Sequence, residues 1–257
     1  MRGGPGVREA VSRLLDTLFP PACAGCGARG TLLCARCIAS IERPAMGICA
    51  GCHQPLTTNA DGTFGGLCTL CQARGDHALD GLRVAARYAG AVRAAIWALK
   101  YRGERRMAGP LGELLAHSGS QLGQRNTLLV PVPLHPNRRR QRGYNQAELL
   151  ARQCGSVLRL PMRADLLARV RATPPQVGLS AAERRTNVAG AFAATSGAAS
   201  ALAGRSILLI DDVCTSGATL AAAAVALRAA GAAVVWGLTV AQPAVGADYA
   251  PARGEKR

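Results

Sequence analysis

The sequence predicts an α/β protein, in which a mostly parallel sheet carries helices on both faces and a small metal-stapled module precedes it. Between residues 79 and 242, apolar strand-like runs alternate with helix-like segments, which is the pattern of strand–helix–strand units. Residues 21–76 instead hold eight of the ten cysteines and have no long periodic segment. Such a stretch is typical of a small module that a metal holds together.

The composition of the 257-residue chain fits two folded units and a polyanionic partner. A hydrophobic content of 49% with 18% charged residues excludes a largely disordered protein. Residues 79–257 carry 24 basic and ten acidic side chains, so +14 of the total charge of +16 lies in the larger unit. That surplus suits nucleic acid. Aromatic residues make up only 4%, which argues against a single-strand binder built on stacking aromatics.

No segment of the sequence is expected to direct export or to enter a membrane. Glu9 and Asp16 interrupt the stretch where a signal peptide needs apolar residues. The longest apolar run, at 220–241, is broken by Arg228 and by two glycines, which predicts a helix, a turn and a strand rather than a membrane span. We therefore expect a cytoplasmic protein, whose thiols stay reduced and whose paired cysteines hold metal.

Periodicity and composition divide the chain into four parts. Residues 1–20 predict an amphipathic helix, residues 21–76 the cysteine-rich module, residues 79–244 the α/β domain and residues 245–257 a flexible tail. Within the α/β domain, strands are expected at 82–90, 127–133, 164–171, 205–213 and 232–242. Helices are expected at 91–101, 109–123, 144–158 and 216–231.

Four C-x-x-C pairs predict two zinc sites. They are Cys23/Cys26, Cys34/Cys37, Cys49/Cys52 and Cys68/Cys71. Two such pairs complete a closed tetrahedral Zn²⁺ site, which leaves no position for a catalytic water. Because about 55 residues bury too little core alone, we expect the zinc to be structural. Pairing of the first with the second is favoured, since only seven residues separate them, and an interleaved pairing stays open.

Residues 207–219, ILLIDDVCTSGAT, predict a phosphate site beside two carboxylates. Four apolar residues place Asp211 and Asp212 at the carboxyl end of a strand, where α/β folds bind their ligands. The next loop opens a helix, whose N-terminus attracts anions. The candidate phosphate ligands are Thr215, Ser216, Gly217, Ala218 and Thr219. A phosphorylated sugar fits this pattern, with its vicinal hydroxyls bound by the two aspartates. The sequence has no G-x-x-x-x-G-K-[ST] motif, which excludes a P-loop nucleotide site.

These thirteen residues resemble the phosphoribosyl pyrophosphate (PRPP) motif of type I phosphoribosyltransferases, except that Cys214 replaces the usual aliphatic residue. The resemblance implies a sheet of the type I phosphoribosyltransferase kind. It also implies that Asp211 and Asp212 contact the ribose hydroxyls, that the loop binds the 5′-phosphate and that Mg²⁺ accompanies the pyrophosphate. Cys214 is interpreted as a small apolar substitute, and Cys154 as a core residue.

Further segments resemble the ComF competence family. They are VPVPLHPNRRRQRGYNQAELLA at 130–151, TPPQVGLSAAERRTNVAGAF at 173–192, LFPPACAGCG and ALKYRG, and the likeness spans residues 14–242. It implies a double zinc ribbon before a phosphoribosyltransferase-like domain, and a role in DNA uptake during natural transformation. A competence helicase and recombination proteins are the protein partners that it implies.

The same likeness assigns candidate phosphate contacts by position. They are Pro131, Val132, Pro133 and Leu134 in the expected pyrophosphate loop, together with the cations Arg138, Arg139, Arg140, Arg142 and Lys100. The arginines suit pyrophosphate or nucleic-acid phosphates, with a solvated charge run as the alternative. Residues 173–185 stand in the place of a mobile lid loop, whose candidates are Gln176, Arg184 and Arg185. Asn145 and Gln146 either read the ligand or cap the helix that begins there.

Two functions of different class follow from these observations. The favoured one is a DNA-uptake protein that binds PRPP or a related phosphoribosyl ligand and contacts single-stranded DNA. The alternative is an active phosphoribosyltransferase, which moves ribose 5-phosphate from PRPP to an unidentified nitrogen acceptor. The first is favoured because the zinc module takes the place of the variable hood that selects the base in such enzymes, while transfer activity stays open.

Overall fold

The computed structural model describes residues 20–44, 49, 77–123, 126–173 and 181–243, without the side chains at 181, 182 and 185. The predicted N-terminal helix and the predicted tail lie outside these residues. So do several candidate ligands, namely Cys52, Cys68, Cys71, Gln176 and the side chain of Arg185.

Strands and helices alternate along the α/β domain. The strands are β1 (Gly81–Arg87), β2 (Thr127–Pro131), β3 (Leu167–Arg169), β4 (Phe192–Ala194), β5 (Ser206–Val213) and β6 (Val234–Gln242). The helices are α1 (Ala35–Ala39), α2 (Gly90–Tyr101), α3 (Ala108–Gly119), α4 (Pro136–Arg142), α5 (Gln146–Leu158), α6 (Ala181–Val188), α7 (Ala198–Leu202) and α8 (Ala218–Ala229). The predicted helices α2, α3, α5 and α8 and the predicted strands β1, β2, β5 and β6 are confirmed.

The central sheet is parallel and has the strand order β1-β6-β5-β2. Its inner strand β5 places Leu208 level with Leu129 of β2 and with Trp236 of β6. Successive side chains of a strand point to opposite faces, yet Ile207, Leu208 and Leu209 are all buried. A strand buried on both faces is the mark of a parallel sheet covered on both sides, as the apolar run predicts.

Helices cover both faces of this sheet. On one face, Ile96 of α2, Leu111 of α3 and Leu150 of α5 belong to one buried apolar cluster. On the other face, Leu202 of α7 and Leu227 of α8 belong to a second cluster, and alternate residues of β5 contribute to each. The result is a helix–sheet–helix sandwich. None of the helices in the described part of the chain is long and apolar enough to cross a membrane.

The strand predicted at 164–171 is wrong as a member of the central sheet. Only Leu167–Arg169 is extended there, and it pairs antiparallel with β4 in a separate two-stranded sheet. A strand inside a parallel sheet needs a continuous apolar run, and the arginine at 169 breaks this one. The outer edge of β2 is instead lined by residues 161–163, since Leu129 N–H donates to Pro161 O and Arg163 N–H donates to Leu129 O.

Candidate functional site

A cavity of about 580 Å³ lies at the carboxyl ends of β2 and β5. Because these strands are parallel neighbours, the loops that follow them meet at one edge of the sheet, where such folds bind ligands. Predicted site residues that line the cavity are Lys100, Val132, Pro133, Leu134, Arg138, Arg142, Arg184, Asp211, Asp212, Thr215 and Thr219. Candidates that are scattered along the sequence are therefore collected around one space.

A buried ion pair joins helix α2 to the acidic pair at the end of β5. Lys100 Nζ lies 2.9 Å from Asp212 Oδ1, and the side chains are 12% and 5% exposed. Burial alone lowers the pKa of Lys100, but the charge and hydrogen bond of Asp212 outweigh it and raise that pKa. Lys100 is therefore a cation held at the carboxylates.

Asp211 is the carboxyl group whose ionisation this environment makes harder. Burial raises its pKa to about 7, the neighbouring charge of Asp212 adds to the effect, and Lys100 opposes it. Its Oδ1 accepts a hydrogen bond of 2.8 Å from Asp212 N–H. Two adjacent carboxyl groups thus lie beside one ammonium group. Their oxygens can accept hydrogen bonds from a ligand that carries hydroxyl groups.

The loop between β5 and α8 has the shape of an anion site. Gly217 caps α8 with φ +68°, a left-handed conformation that side chains disfavour. The first N–H groups of α8 have no acceptor within the helix, and its dipole favours negative charge there. Ser216 Oγ and Asp212 Oδ2 are buried, and neither has a hydrogen-bond partner among the described residues. Buried polar atoms are normally paired, and Asp212 lines the cavity, so its unpaired oxygen points to a ligand there.

Asn145 caps helix α5 and also holds the loop after β2. Its Oδ1 accepts from Ala147 N–H at 3.1 Å, and its Nδ2 donates to Val132 O at 3.0 Å. Of the two interpretations of this residue, capping is confirmed. Gln146 lines the cavity and accepts a hydrogen bond from Arg142, so it also orients that arginine.

The arginine run forms the exposed helix α4, which has no buried residue. His135 Nδ1 caps its start, with Pro136 in the first turn, and Gly143 ends it in a left-handed conformation. Arg138 and Arg142 are four positions apart, hence on one face, and both line the cavity. The run therefore has one face toward the candidate ligand site.

The other arginines of α4 face away from this space. Arg139 Nη2 lies 3.4 Å from Glu148 Oε2, and Arg139 and Arg140 line a second cavity beside Pro131. Arg138, Arg139 and Arg142 are predicted together as contacts for pyrophosphate or nucleic-acid phosphates, whereas helical geometry places Arg139 away from the other two.

Sequence reasoning missed Arg169, Tyr101 and Tyr144, which also line the cavity. Arg169 lies over the Phe192 ring, 5.4 Å from its centroid, and donates to Thr173 Oγ1. The signal that could have found it is an arginine inside an otherwise apolar strand pattern. Tyr101 and Tyr144 had no local signal, since aromatic residues at these spacings are ordinary core residues.

Cys23, Cys26, Cys34 and Cys37 form a cluster whose sulfur atoms all lie within 4.8 Å of one another. Cys26 Sγ and Cys34 Sγ are 3.6 Å apart, and Cys34 N–H donates to Cys23 Sγ at 3.3 Å. Burial opposes the Cys23 thiolate, but backbone N–H groups lower its pKa to about 6. Four converging sulfurs fit Zn²⁺. The first pair therefore joins the second, as the sequential pairing predicts.

The zinc cluster packs against the helix that carries Lys100. A Cβ at Gly25 would come within 2.8 Å of Ala91 Cβ in α2, so only glycine fits this approach. Ala24, Leu32 and Ile41 pack against the core cluster that contains α2. The module thus supports the N-terminal part of α2.

The two cysteines outside the C-x-x-C pairs are buried core residues. Cys154 and Cys214 are 0% and 2% exposed, and burial raises the pKa of each thiol to about 12. Such thiols are unreactive at neutral pH. This supports the interpretation of Cys214 as a small apolar substitute within the phosphate loop.

Comparison with known proteins gives two family matches. Residues 14–73 match the family described as double zinc ribbon domain, and residues 147–252 match the phosphoribosyl transferase domain. The first match contains all four C-x-x-C pairs, and the second contains the acidic pair and its loop.

Three curated relatives illustrate the likeness along the chain. DNA utilization protein YhgH of Escherichia coli (strain K12) is 30% identical over 224 residues, which cover 79% of this chain and 93% of that protein. Competence protein F of Haemophilus influenzae is 40% identical over 112 residues, 43% of this chain and about half (48%) of that protein. YhgH of Salmonella typhimurium is 36% identical over 118 residues, 46% of this chain and 49% of that protein.

Proposed function

Since the chain belongs to the ComF family, with competence protein F and DNA utilization protein YhgH, we propose that it acts in DNA uptake by binding a phosphoribosyl ligand such as PRPP. The observation that carries the proposal is Asp212 Oδ2, a buried atom of a cavity-lining residue that lacks a partner among the described residues. Ser216 Oγ, in the loop that leads to the N-terminus of α8, is buried and unpaired among these residues as well.

The cavity offers a contact for each part of PRPP. The ribose hydroxyls donate to Asp211 and Asp212, while the 5′-phosphate lies at the N-terminus of α8 with Ser216 as a donor. Arg138 and Arg142 face the same space and suit the pyrophosphate as bidentate donors. Mg²⁺ would accompany the pyrophosphate, as the family resemblance implies. We place this activity in the cytoplasm, beside a helicase and recombination proteins.

Calorimetry with PRPP and Mg²⁺ tests this site. Above pH 7, where Asp211 is mostly ionised, the change Asp211→Asn is expected to weaken binding about tenfold or more, because a hydrogen bond to a charged group contributes about 1.5–3 kcal/mol. Ser216→Ala removes a neutral donor, so a smaller loss is expected. Ser206→Ala, at the amino end of the same strand, is the matched control and leaves the affinity unchanged. Equal weak heats for all four proteins would refute the site, and release of pyrophosphate in the presence of bases would identify transfer.

We further propose that single-stranded DNA contacts the outer face of α4. This helix is exposed along its length, and residues 83–142 hold twelve basic side chains against Glu104 and Glu113. A surplus of this kind attracts a phosphate chain and releases counterions when it binds.

The salt dependence of single-stranded DNA binding measures this contact. Arg139→Ala/Arg140→Ala is expected to reduce the slope of log affinity against log salt by about 0.7 for each lost phosphate contact. Arg205→Ala, at the amino end of β5, removes the same charge per residue and should leave the slope intact. A double variant with the wild-type slope would mean that α4 is only a solvated face.

A further inference from the structure

Three of the nine aromatic residues of the chain lie in or beside the carboxyl-terminal half of α2. Trp97 and Tyr101 are one helical turn apart, and their ring centroids are 6.0 Å apart at an interplanar angle of 48°. Tyr144 is buried and donates to Leu99 O, which ties the start of α5 to α2. Sequence composition alone gave no reason to expect stacking side chains, but the fold gathers them.

Each of these rings has an arginine over it. The guanidinium carbon of Arg102 is 4.4 Å from the Trp97 centroid, that of Arg105 is 4.7 Å from Tyr144, and that of Arg142 is 5.4 Å from Tyr101. The nearby carboxylate of Glu104 pairs with Arg106, at 2.9 Å. We call Trp97, Tyr101, Arg102, Arg105 and Arg142 the aromatic–arginine ridge.

The ridge has an exposed part beside the ligand cavity. Tyr101 is 50% exposed and is the aromatic ring among the exposed large apolar side chains of the described residues. Tyr101 and Arg142 also line the cavity, while Arg102 and Arg105 lie on the surface. If these rings served only to join α2 to the start of α5, we would expect all of them to be buried, as Tyr144 is, because an exposed ring loses hydrophobic stabilisation.

The geometry points to the aromatic–arginine ridge as the place where bases of single-stranded DNA stack, next to the phosphoribosyl cavity. This inference rests on the DNA contact proposed above and places the bases on the cavity side of α4, where Arg142 lies. A half-exposed aromatic ring flanked by guanidinium groups offers both parts that a single strand needs, a flat face for a base and cations for the adjacent phosphates. Duplex DNA is a poorer occupant, since its bases are already stacked on each other.

Binding of a short labelled oligothymidine, followed by fluorescence anisotropy over a range of salt, tests the ridge. Tyr101→Leu is expected to weaken binding about tenfold through loss of stacking, with an unchanged salt slope. Tyr101→Phe keeps the ring and should keep the affinity. Arg102→Ala/Arg105→Ala should instead lower the slope by about 0.7 per phosphate contact, and Arg205→Ala serves as the charge control. Thermal unfolding of each variant verifies that it is folded.

Tryptophan fluorescence gives an independent readout, because the chain has two tryptophans. Oligothymidine should quench the emission of wild type and of Trp236→Phe, whose missing ring packs on Gly81 inside the sheet. It should not quench Trp97→Phe. Quenching that survives in Trp97→Phe would contradict the ridge.

The outcomes separate this inference from the proposal on which it rests. A wild-type protein that does not bind oligothymidine overturns the DNA contact and the ridge together. Binding with a normal salt slope in which Tyr101→Leu equals Tyr101→Phe overturns the ridge alone. Thymidine monophosphate is the third arm: if Tyr101→Leu weakens its binding and leaves the oligonucleotide unaffected, the ridge serves a free nucleotide and the inference fails.

Discussion

Cys37→Ser is expected to lower the zinc content of the purified protein by one ion per chain, from the two expected for a double zinc ribbon, and to unfold the segment around the first cluster. Cys37 is buried with Cys23 and Leu33 in a small apolar cluster. So few residues do not stabilise a fold, and structural zinc supplies about 10–16 kcal/mol of apparent binding free energy in comparable modules. Removing one of the four ligands is expected to lose most of this binding free energy.

The measurement is metal analysis combined with limited proteolysis. The segment at 23–41 should become sensitive to protease, while the α/β domain stays resistant because its two core clusters remain. Cys154→Ala is the matched control, since that thiol is buried in α5 away from the cluster. A Cys37→Ser protein that retains two zinc ions and full protease resistance would contradict the assignment of this cysteine as a ligand.

Lys100→Met is expected to destabilise the α/β domain by about 3–5 kcal/mol, the usual cost of removing one partner of a buried ion pair. The methionine fills the space of the stem, but Asp212 is then left buried without its cation, beside Asp211. Lys100→Met/Asp212→Asn removes both charges and should recover much of the loss. Urea unfolding monitored by the fluorescence of Trp236, which lies in β6, reports on this domain.

The pH dependence of this loss has a definite sign. The pKa of Asp211 is about 7 in the intact site, and loss of Lys100 raises it further because an attractive charge is gone. The destabilisation is therefore largest above pH 7 and shrinks as the pH falls through that value, since protonation removes one of the two adjacent negative charges. A loss of stability that is equal at pH 6 and pH 8 would exclude the Lys100–Asp212 ion pair as its cause. A double variant as unstable as Lys100→Met would exclude it as well.

Most of the α/β domain was predictable because its signals are local. A strand buried on both faces, such as 206–213, needs an apolar run, and a helix such as α8 needs its periodic alanines and leucines. The separate β3–β4 sheet was not predictable, since three-residue strands have no periodicity to detect. Helix α4 was hidden as well, because a run of arginines has no apolar face and its stability comes from caps at both ends.

The sequence alone determined the chemistry of each part: four cysteine pairs spaced for zinc, an acidic pair before a phosphate loop, and a surplus of arginine in the larger domain. Tertiary structure alone decided which of these groups meet. It placed Lys100 on Asp212, separated Arg139 from Arg142, and brought Tyr101 to the mouth of the cavity. The physical reason is that spacing along the chain sets what one segment presents, whereas contacts between distant segments depend on how helices pack on the sheet.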